Sequence, residues 1–183
     1  RGKKNVAFIK LTLVTFGLFY AVALSGIYAF QRDLQYLPTR RDPPPEATGL
    51  DGVERVALPT PDGETLVLWV SPAKGDRPTL LFLHGNAGEI ADRADRFAFY
   101  QAQGYGVAFL SYRGYGGSTG VPSEPGLLTD AKAAYDHLRQ QGITPDRIVL
   151  VGESLGTGPA VITAAANPVA AVVLEAPYSA AVD

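Results

Sequence analysis

Four short, unbroken apolar runs set the limits on what this chain can fold into: TLLFL at 79–83, VAFL at 107–110, IVLV at 148–151 and AAVVL at 170–174. Each is too short for a typical helix and none alternates with polar residues, which is the pattern of strands covered on both faces of a parallel sheet. Helical stretches lie between them. In the first, Ile90, Ala94, Phe97 and Ala98 share one face, leaving Asp92, Arg93, Asp95 and Arg96 expected on the solvent side. In the second, Leu127, Ala131, Ala134 and Leu138 recur at helical spacing, with Ser123 as cap and Gly142 as terminator. The third runs from Leu155 to about Ala166, stops at Asn167-Pro168, and carries Pro159 where it predicts an irregular first turn. Two earlier runs, VERVAL and ETLVLWV, flank the turn signal Pro61-Asp62-Gly63 and read as an antiparallel hairpin. Strands alternating with helices through right-handed crossovers predict a doubly wound, mostly parallel α/β sheet.

With 183 residues and 46% hydrophobic content, the chain is expected to form one domain plus an extra segment. Its net charge of -2, with both signs scattered, gives no reason to expect nucleic acid as a partner. The absence of cysteine excludes a disulfide framework, a thiolate zinc site and a cysteine nucleophile. Only His84 and His137 are available as histidines, so neither a metal site nor a cofactor is expected. Composition is silent on oligomeric state. The chain begins at Arg1 and contains no methionine, so it is expected to be a piece of a longer protein.

Leu11 to Phe30 are twenty uncharged, mostly apolar residues. As a helix they extend roughly 30 Å, about one bilayer core, so residues 11–30 are expected to enter the lipid as a single-pass anchor. Arg1, Lys3, Lys4 and Lys10 precede the stretch and Arg32, Arg40 and Arg41 follow it, favouring a cytoplasmic N-terminus with the rest of the chain on the other side. A cleaved signal peptide is the competing reading, since Ala21-Val22-Ala23 has the small-x-small form of a cleavage site, and a buried core helix is a third. Residues 1–37 thus make an anchor with its flanks. Residues 38–50, with four prolines and no apolar periodicity, read as an extended spacer, and 51–183 as the globular domain.

Ligands of doubly wound sheets bind outside the carboxyl ends of the strands. Three loops there are distinctive: HGNAG at 84–88, SYRGYGGSTG at 111–120 and GESLG at 152–156. Neither the dinucleotide spacing nor the P-loop spacing is met, because Val161 stands where a third glycine is required and no Gly-Lys-Ser/Thr occurs. Gly152-Glu153-Ser154-Leu155-Gly156 does satisfy Gly-x-Ser-x-Gly between a strand and a helix. There the turn is so sharp that the residues at Gly152 and Gly156 must be small, the Ser154 hydroxyl is lifted clear of the backbone, and the Leu155 amide faces a developing oxyanion. The simpler alternative for Ser154 is a helix N-cap. In HGNAG, Gly85 lets backbone approach a substrate, the amide of Asn86 is favoured over that of Ala87 as second oxyanion donor, and His84 is expected to support the loop rather than act as base. His137 is expected at the surface. SYRGYGGSTG reads as a tight loop rich in glycine, with no support for substrate contact by Tyr112, Arg113 or Tyr115.

FQRDLQYLP, LLFLHGNAG, SYRGYGGSTGVPSEPGLLTDAKAAYDHL, VLVGESLGTGPAV and LEAPYS follow one another in the order of the α/β-hydrolases. The chain resembles that superfamily, and more narrowly its membrane-anchored serine hydrolases of the fungal bud-emergence type. The resemblance implies Ser154 as nucleophile, Leu155 and Asn86 as oxyanion amides, and small acyl esters as substrates. Carboxylic esters or thioesters are the first expectation, cleaved through an acyl-enzyme. Amide cleavage of the aminopeptidase kind and a non-catalytic scaffold are the alternatives.

Members of the family place the acid and the histidine of the triad downstream of the nucleophile, and no histidine follows Ser154. The chain is therefore expected to be truncated at its C-terminal side, to leave an exposed apolar sheet edge, and to retain at most the roughly 10³ to 10⁴-fold rate enhancement that survives triad deletion. Glu175, closing the sixth strand, is a candidate acid, though a structural role suits it equally.

Overall fold

The computed structural model describes residues 2–178; Arg1 and residues 179–183, which include the serine closing LEAPYS and the end of the expected hydrolase domain, lie outside the described residues. The chain divides into two compact units at Gln35/Tyr36. The first is one helix, α1, Gly2–Gln35. Within it Phe8–Arg32, 25 residues, is long and apolar enough to cross a membrane, extending the expected 11–30 stretch at both ends. Two of its hydroxyls bond within the helix: Thr12 Oγ1 donates to Phe8 O at 3.0 Å and Ser25 Oγ to Ala21 O at 2.8 Å. A hydroxyl surrounded by hydrocarbon requires such a partner.

The second unit is built on a six-stranded sheet of β1 (Glu54–Pro59), β2 (Thr65–Ser71), β3 (Thr79–Leu83), β4 (Gly106–Ser111), β5 (Ile148–Glu153) and β6 (Ala171–Glu175). Their spatial order is β1-β2-β4-β3-β5-β6. β1 and β2 form the expected antiparallel hairpin, β2 runs antiparallel to β4, and the other pairs are parallel. Helices α2 (Ala94–Ala102), α3 (Glu124–Gln140) and α4 (Thr157–Ala166) connect the strands.

The apolar runs feed two cores at once, because successive strand residues point to opposite faces. Leu66, Leu68, Leu81, Leu83, Leu110 and Leu150 pack on one side with Leu127, Ala131 and Leu138 of α3 and Ala160 of α4. Val67, Trp69, Phe82, Phe109 and Val151 pack on the other with Ile90 and with Phe97 of α2. Phe109 stacks on Phe82 at 4.4 Å between ring centres and meets the edge of Phe97 at 5.0 Å. Ser123 caps α3 by accepting the Gly126 N–H at 3.2 Å, and Gly142 follows the helix at φ +84°. Pro159 is the third residue of α4, where the amide has no partner within the helix, so its missing N–H costs nothing. The irregularity it predicts lies just upstream as a 3₁₀ turn, Ser154–Gly156. β6 is one edge strand, with Val172, Val173 and Leu174 exposed, as are Val161 and Ile162 of α4.

Residues 38–50 differ from the spacer expected of them, since they pack on the domain. Pro45 and Leu50 are buried, Pro45–Thr48 form a 3₁₀ turn, and Leu37–Pro38 pair in parallel with Ala87–Gly88. Proline does keep the backbone extended, as composition suggests, but extended backbone is also what can add to the edge of a loop.

A buried ion pair ties three elements together. Arg113, after β4, donates Nε and Nη2 to Asp130 Oδ1 at 2.9 and 2.7 Å and its backbone N–H to Oδ2 at 2.8 Å. Its Nη1 reaches Asp62 Oδ2 in the hairpin turn at 2.8 Å. Asp130 on α3 has no solvent exposure. Removing one partner strands the other charge, so Asp130→Ala is expected to lower the stability of the intact protein by about 3 kcal/mol in denaturant unfolding.

Candidate active site

β3 and β5 are neighbours in register, Leu83 opposite Gly152, so the loops that follow them leave the sheet side by side. The chain passes from β3 outward to β4 and then back across β3 to β5, which places this exit at a reversal of strand order, where open α/β sheets bind ligands. Two glycines make the turn after β5 possible. A Cβ on Gly152 would stand 2.7 Å from Gly156 O and from Thr157 Cα, and one on Gly156 would overlap the Leu83 carbonyl. Between them Ser154 has φ +47°, a conformation that costs a non-glycine residue about 1 to 3 kcal/mol. Its side chain is exposed while both glycines are buried. Thr157 Oγ1 donates to Ser154 O at 2.7 Å and locks the turn from the helix side.

The loop after β3 comes within contact of this serine: a Cβ on Gly85 would lie 3.5 Å from Ser154 Cβ. His84 is fully buried, its ring 4.6 Å from that of Tyr112 and 4.9 Å from that of Tyr115. Its Nε2 faces the Tyr112 N–H at 3.5 Å, which assigns the proton to Nδ1, and Nδ1 donates to Gly85 O at 2.6 Å. Burial, and secondarily the charge of Arg93, holds the imidazole down at about 4. His84 is thus neutral and uses both ring nitrogens to hold the loop. Because a trans peptide directs its N–H opposite to its C=O, fixing Gly85 O aims the Asn86 N–H away from the imidazole. Asn86 O in turn accepts Tyr115 Oη at 2.9 Å and the Leu37 N–H at 2.9 Å.

Arg93 differs from its expected solvent position. Its Nε and Nη2 donate to Glu153 Oε2 and Oε1 at 3.0 and 2.9 Å, while Nη1 reaches Ala87 O at 3.3 Å and Glu89 O at 3.2 Å. It therefore joins the residue before Ser154 to the loop after β3. An α-helical wheel misplaces it because Ile90–Arg93 form a 3₁₀ turn, whose three-residue repeat rotates Arg93 off the outer face. Chiefly through these hydrogen bonds, Glu153 is held below the usual carboxylate range. A glutamate directly before the serine was the one signal in the sequence that a cation is required nearby.

Glu175 sits at the end of β6 opposite Glu153, and accepts Arg96 Nη1 at 2.6 Å. Ser154, Leu155, Gly152, Gly156, Gly85, Asn86 and His84 are gathered at one place; no second histidine joins them, because His137 lies on the last turns of α3. There it borders a cavity of about 1050 Å³ at the opposite end of the sheet, lined by Val56, Val70, Arg77, Thr79 and Ile143 among others. Tyr112, Arg113 and Tyr115 are buried, in keeping with a structural glycine-rich loop. Among the described residues no group of three or more histidine, cysteine, aspartate or glutamate side chains is placed to hold a metal ion.

Residues 75–182 match the family model described as serine aminopeptidase, S33. The chain belongs to this family of α/β-hydrolases. It is 34% identical to protein bem46 of Schizosaccharomyces pombe over 175 residues, covering 88% of this chain and 58% of that protein. An uncharacterized protein of Mycobacterium tuberculosis is 39% identical over 166 residues, covering 87% of this chain and 59% of the relative. The chain thus spans less than two thirds of the curated relatives it matches. Among solved structures, an esterase of Pyrococcus furiosus superposes with a TM-score of 0.65 at 22% identity over 78% of this chain and 57% of that one, a likeness of fold. An α/β-hydrolase of Vibrio vulnificus gives 0.62 at 30% identity over 69% of this chain and 46% of that one.

The state of His84 makes acid sensitivity predictable. Between its folded value of about 4 and its ordinary 6.5 the unfolded chain binds the extra proton, so stability is fully present above 6.5 and falls as pH drops toward 4. The loss attributable to this group is roughly 3 kcal/mol. Urea unfolding of the intact protein across that range should show the slope, and His84→Gln should flatten it; identical slopes would refute the assignment.

Proposed function

We propose that the intact protein is a membrane-anchored serine hydrolase that cleaves carboxylic esters or thioesters through an acyl-enzyme on Ser154. The observation that carries this is the exposed Ser154 hydroxyl, at φ +47° on a turn only glycines permit, beside a loop whose peptide planes are held by their carbonyls. Membership of a hydrolase family supports the reaction class. Ser154 Oγ attacks the acyl carbon and the bond to the alcohol or thiol leaving group breaks; water then attacks the acyl-enzyme and returns the serine. The N–H groups of Leu155 and Asn86 serve the oxyanion, with α4 adding the positive end of its dipole. The base that accepts the Oγ proton and the acid that orients it are assigned to the portion of the relatives' length that this chain does not span. α1 holds the protein in the membrane with its basic N-terminal flank on the cytoplasmic side.

Cleavage of aminoacyl amides is the second reading, favoured by the description of the family model as serine aminopeptidase. In the full-length protein, a fluorophosphonate probe should label Ser154, and Ser154→Ala should abolish both labelling and turnover beyond a residue of roughly 10⁻⁴ to 10⁻⁶ of wild type. A folded protein that is never labelled would defeat the proposal. A panel of acyl esters, acyl thioesters and aminoacyl amides then separates the readings by kcat/KM.

A further inference from the structure

We propose that Tyr36 to Asp42, the residues directly after α1, are a positioning strap for the loop that carries the Asn86 amide. Tyr36 is buried in the core beside Leu58 and Tyr115. From there the strap runs parallel to the loop, Leu37 opposite Ala87 and Pro38 opposite Gly88. The Leu37 N–H donates to Asn86 O at 2.9 Å and the Thr39 N–H to Gly88 O at 3.2 Å. Donors on one side of an extended chain alternate, so Pro38, which has no N–H, falls where none is required. Thr39 O accepts the Gly116 N–H at 2.9 Å, closing the strap onto the loop after β4.

One glycine of that loop permits the approach: a Cβ on Gly117 would overlap the Asp42 carboxylate. At its far end the strap is secured by charge. Arg41 Nη2 lies 3.0 Å from Oε1 of the buried Glu89 and 2.9 Å from Asp92 Oδ1, and Arg55 Nε donates to Asp42 Oδ1 at 3.2 Å. Gly117 of SYRGYGGSTG and the segment after α1 thereby acquire a shared purpose. The strap and Tyr115 hold the same carbonyl, so together they set the plane of the Asn86–Ala87 peptide, next to the amide proposed above as an oxyanion donor. The role of the strap in catalysis rests on the reading of Ser154 as nucleophile; its hold on the loop does not.

The test compares Leu37→Pro, which deletes the backbone donor, with Leu37→Ala, which keeps it and trims a half-exposed side chain, in the full-length protein. Tyr115→Phe, which removes the second donor to Asn86 O with little change of shape, is the companion variant should Leu37→Pro fold poorly. Hydrogen exchange of the peptide spanning residues 84–90 should accelerate in Leu37→Pro and Tyr115→Phe and stay at the wild-type rate in Leu37→Ala. On an activated acyl ester, kcat should fall roughly tenfold in the first two with KM unchanged, an indirect fraction of what losing an oxyanion donor costs. Equal exchange in all four proteins overturns the strap. Faster exchange with unchanged kcat overturns its catalytic role. Undiminished turnover in Ser154→Ala instead removes the nucleophile assignment, and the exchange data still decide the strap.

Discussion

Everything at the candidate site depends on one close backbone approach, that of Gly156 against the carbonyl of Leu83. With no side chain between them, the turn after β5 folds back over the end of β3 and α4 starts almost on top of the sheet. That contact fixes where Ser154 must be: outward, in a left-handed conformation, with the first turn of α4 beneath it. It also fixes the neighbour, because the strand whose end is touched is the one that continues into HGNAG. A larger residue at either glycine would push the helix off the sheet and separate the serine from the loop, so the strain at Ser154 is sustained by packing two residues away on each side.

Charges complete what the glycines begin. Arg93 binds Glu153 with two parallel hydrogen bonds and caps two carbonyls of the neighbouring loop with its remaining nitrogen, so it ties the turn after β5 to that loop. Arg96 extends the series to Glu175 on the next strand. Two carboxylates at the ends of adjacent parallel strands repel each other, and the two arginines presented by one short helical segment relieve that repulsion. Geometry of the bidentate kind is specific to guanidinium, which lysine at Arg93 would not reproduce.

Much of this was legible in the sequence because it follows from local rules. Runs such as TLLFL lack alternation since both faces of β3 are buried, and their limits agree with the strands to within a residue or two. Gly-x-Ser-x-Gly and HGNAG could be read because each glycine answers a steric requirement at a fixed spacing. What escaped was set by distant partners. Arg93 looked solvent-facing because the wheel assumed 3.6 residues per turn, and residues 38–50 looked like a spacer because nothing in their composition reveals that Thr39 pairs with the loop after β3 and that Leu50 enters an apolar cluster. Proline content reports backbone conformation, not what the backbone lies against.

The role of His84 follows from proton accounting. A general base must carry the serine proton through the tetrahedral intermediate, and so must be stable as a cation beside the developing oxyanion. His84 is enclosed by two tyrosine rings with Arg93 nearby, and its imidazolium form is disfavoured until about pH 4. Protonating it would also turn Nε2 from an acceptor into a donor facing the Tyr112 N–H, breaking one of the two contacts by which it holds the loop. The environment that makes His84 a good buttress thus disqualifies it as a base. Above that pH a neutral, doubly bonded histidine keeps the Gly85 carbonyl turned toward the imidazole and the Asn86 N–H turned away from it, and in the proposed reaction the serine proton goes to a different residue.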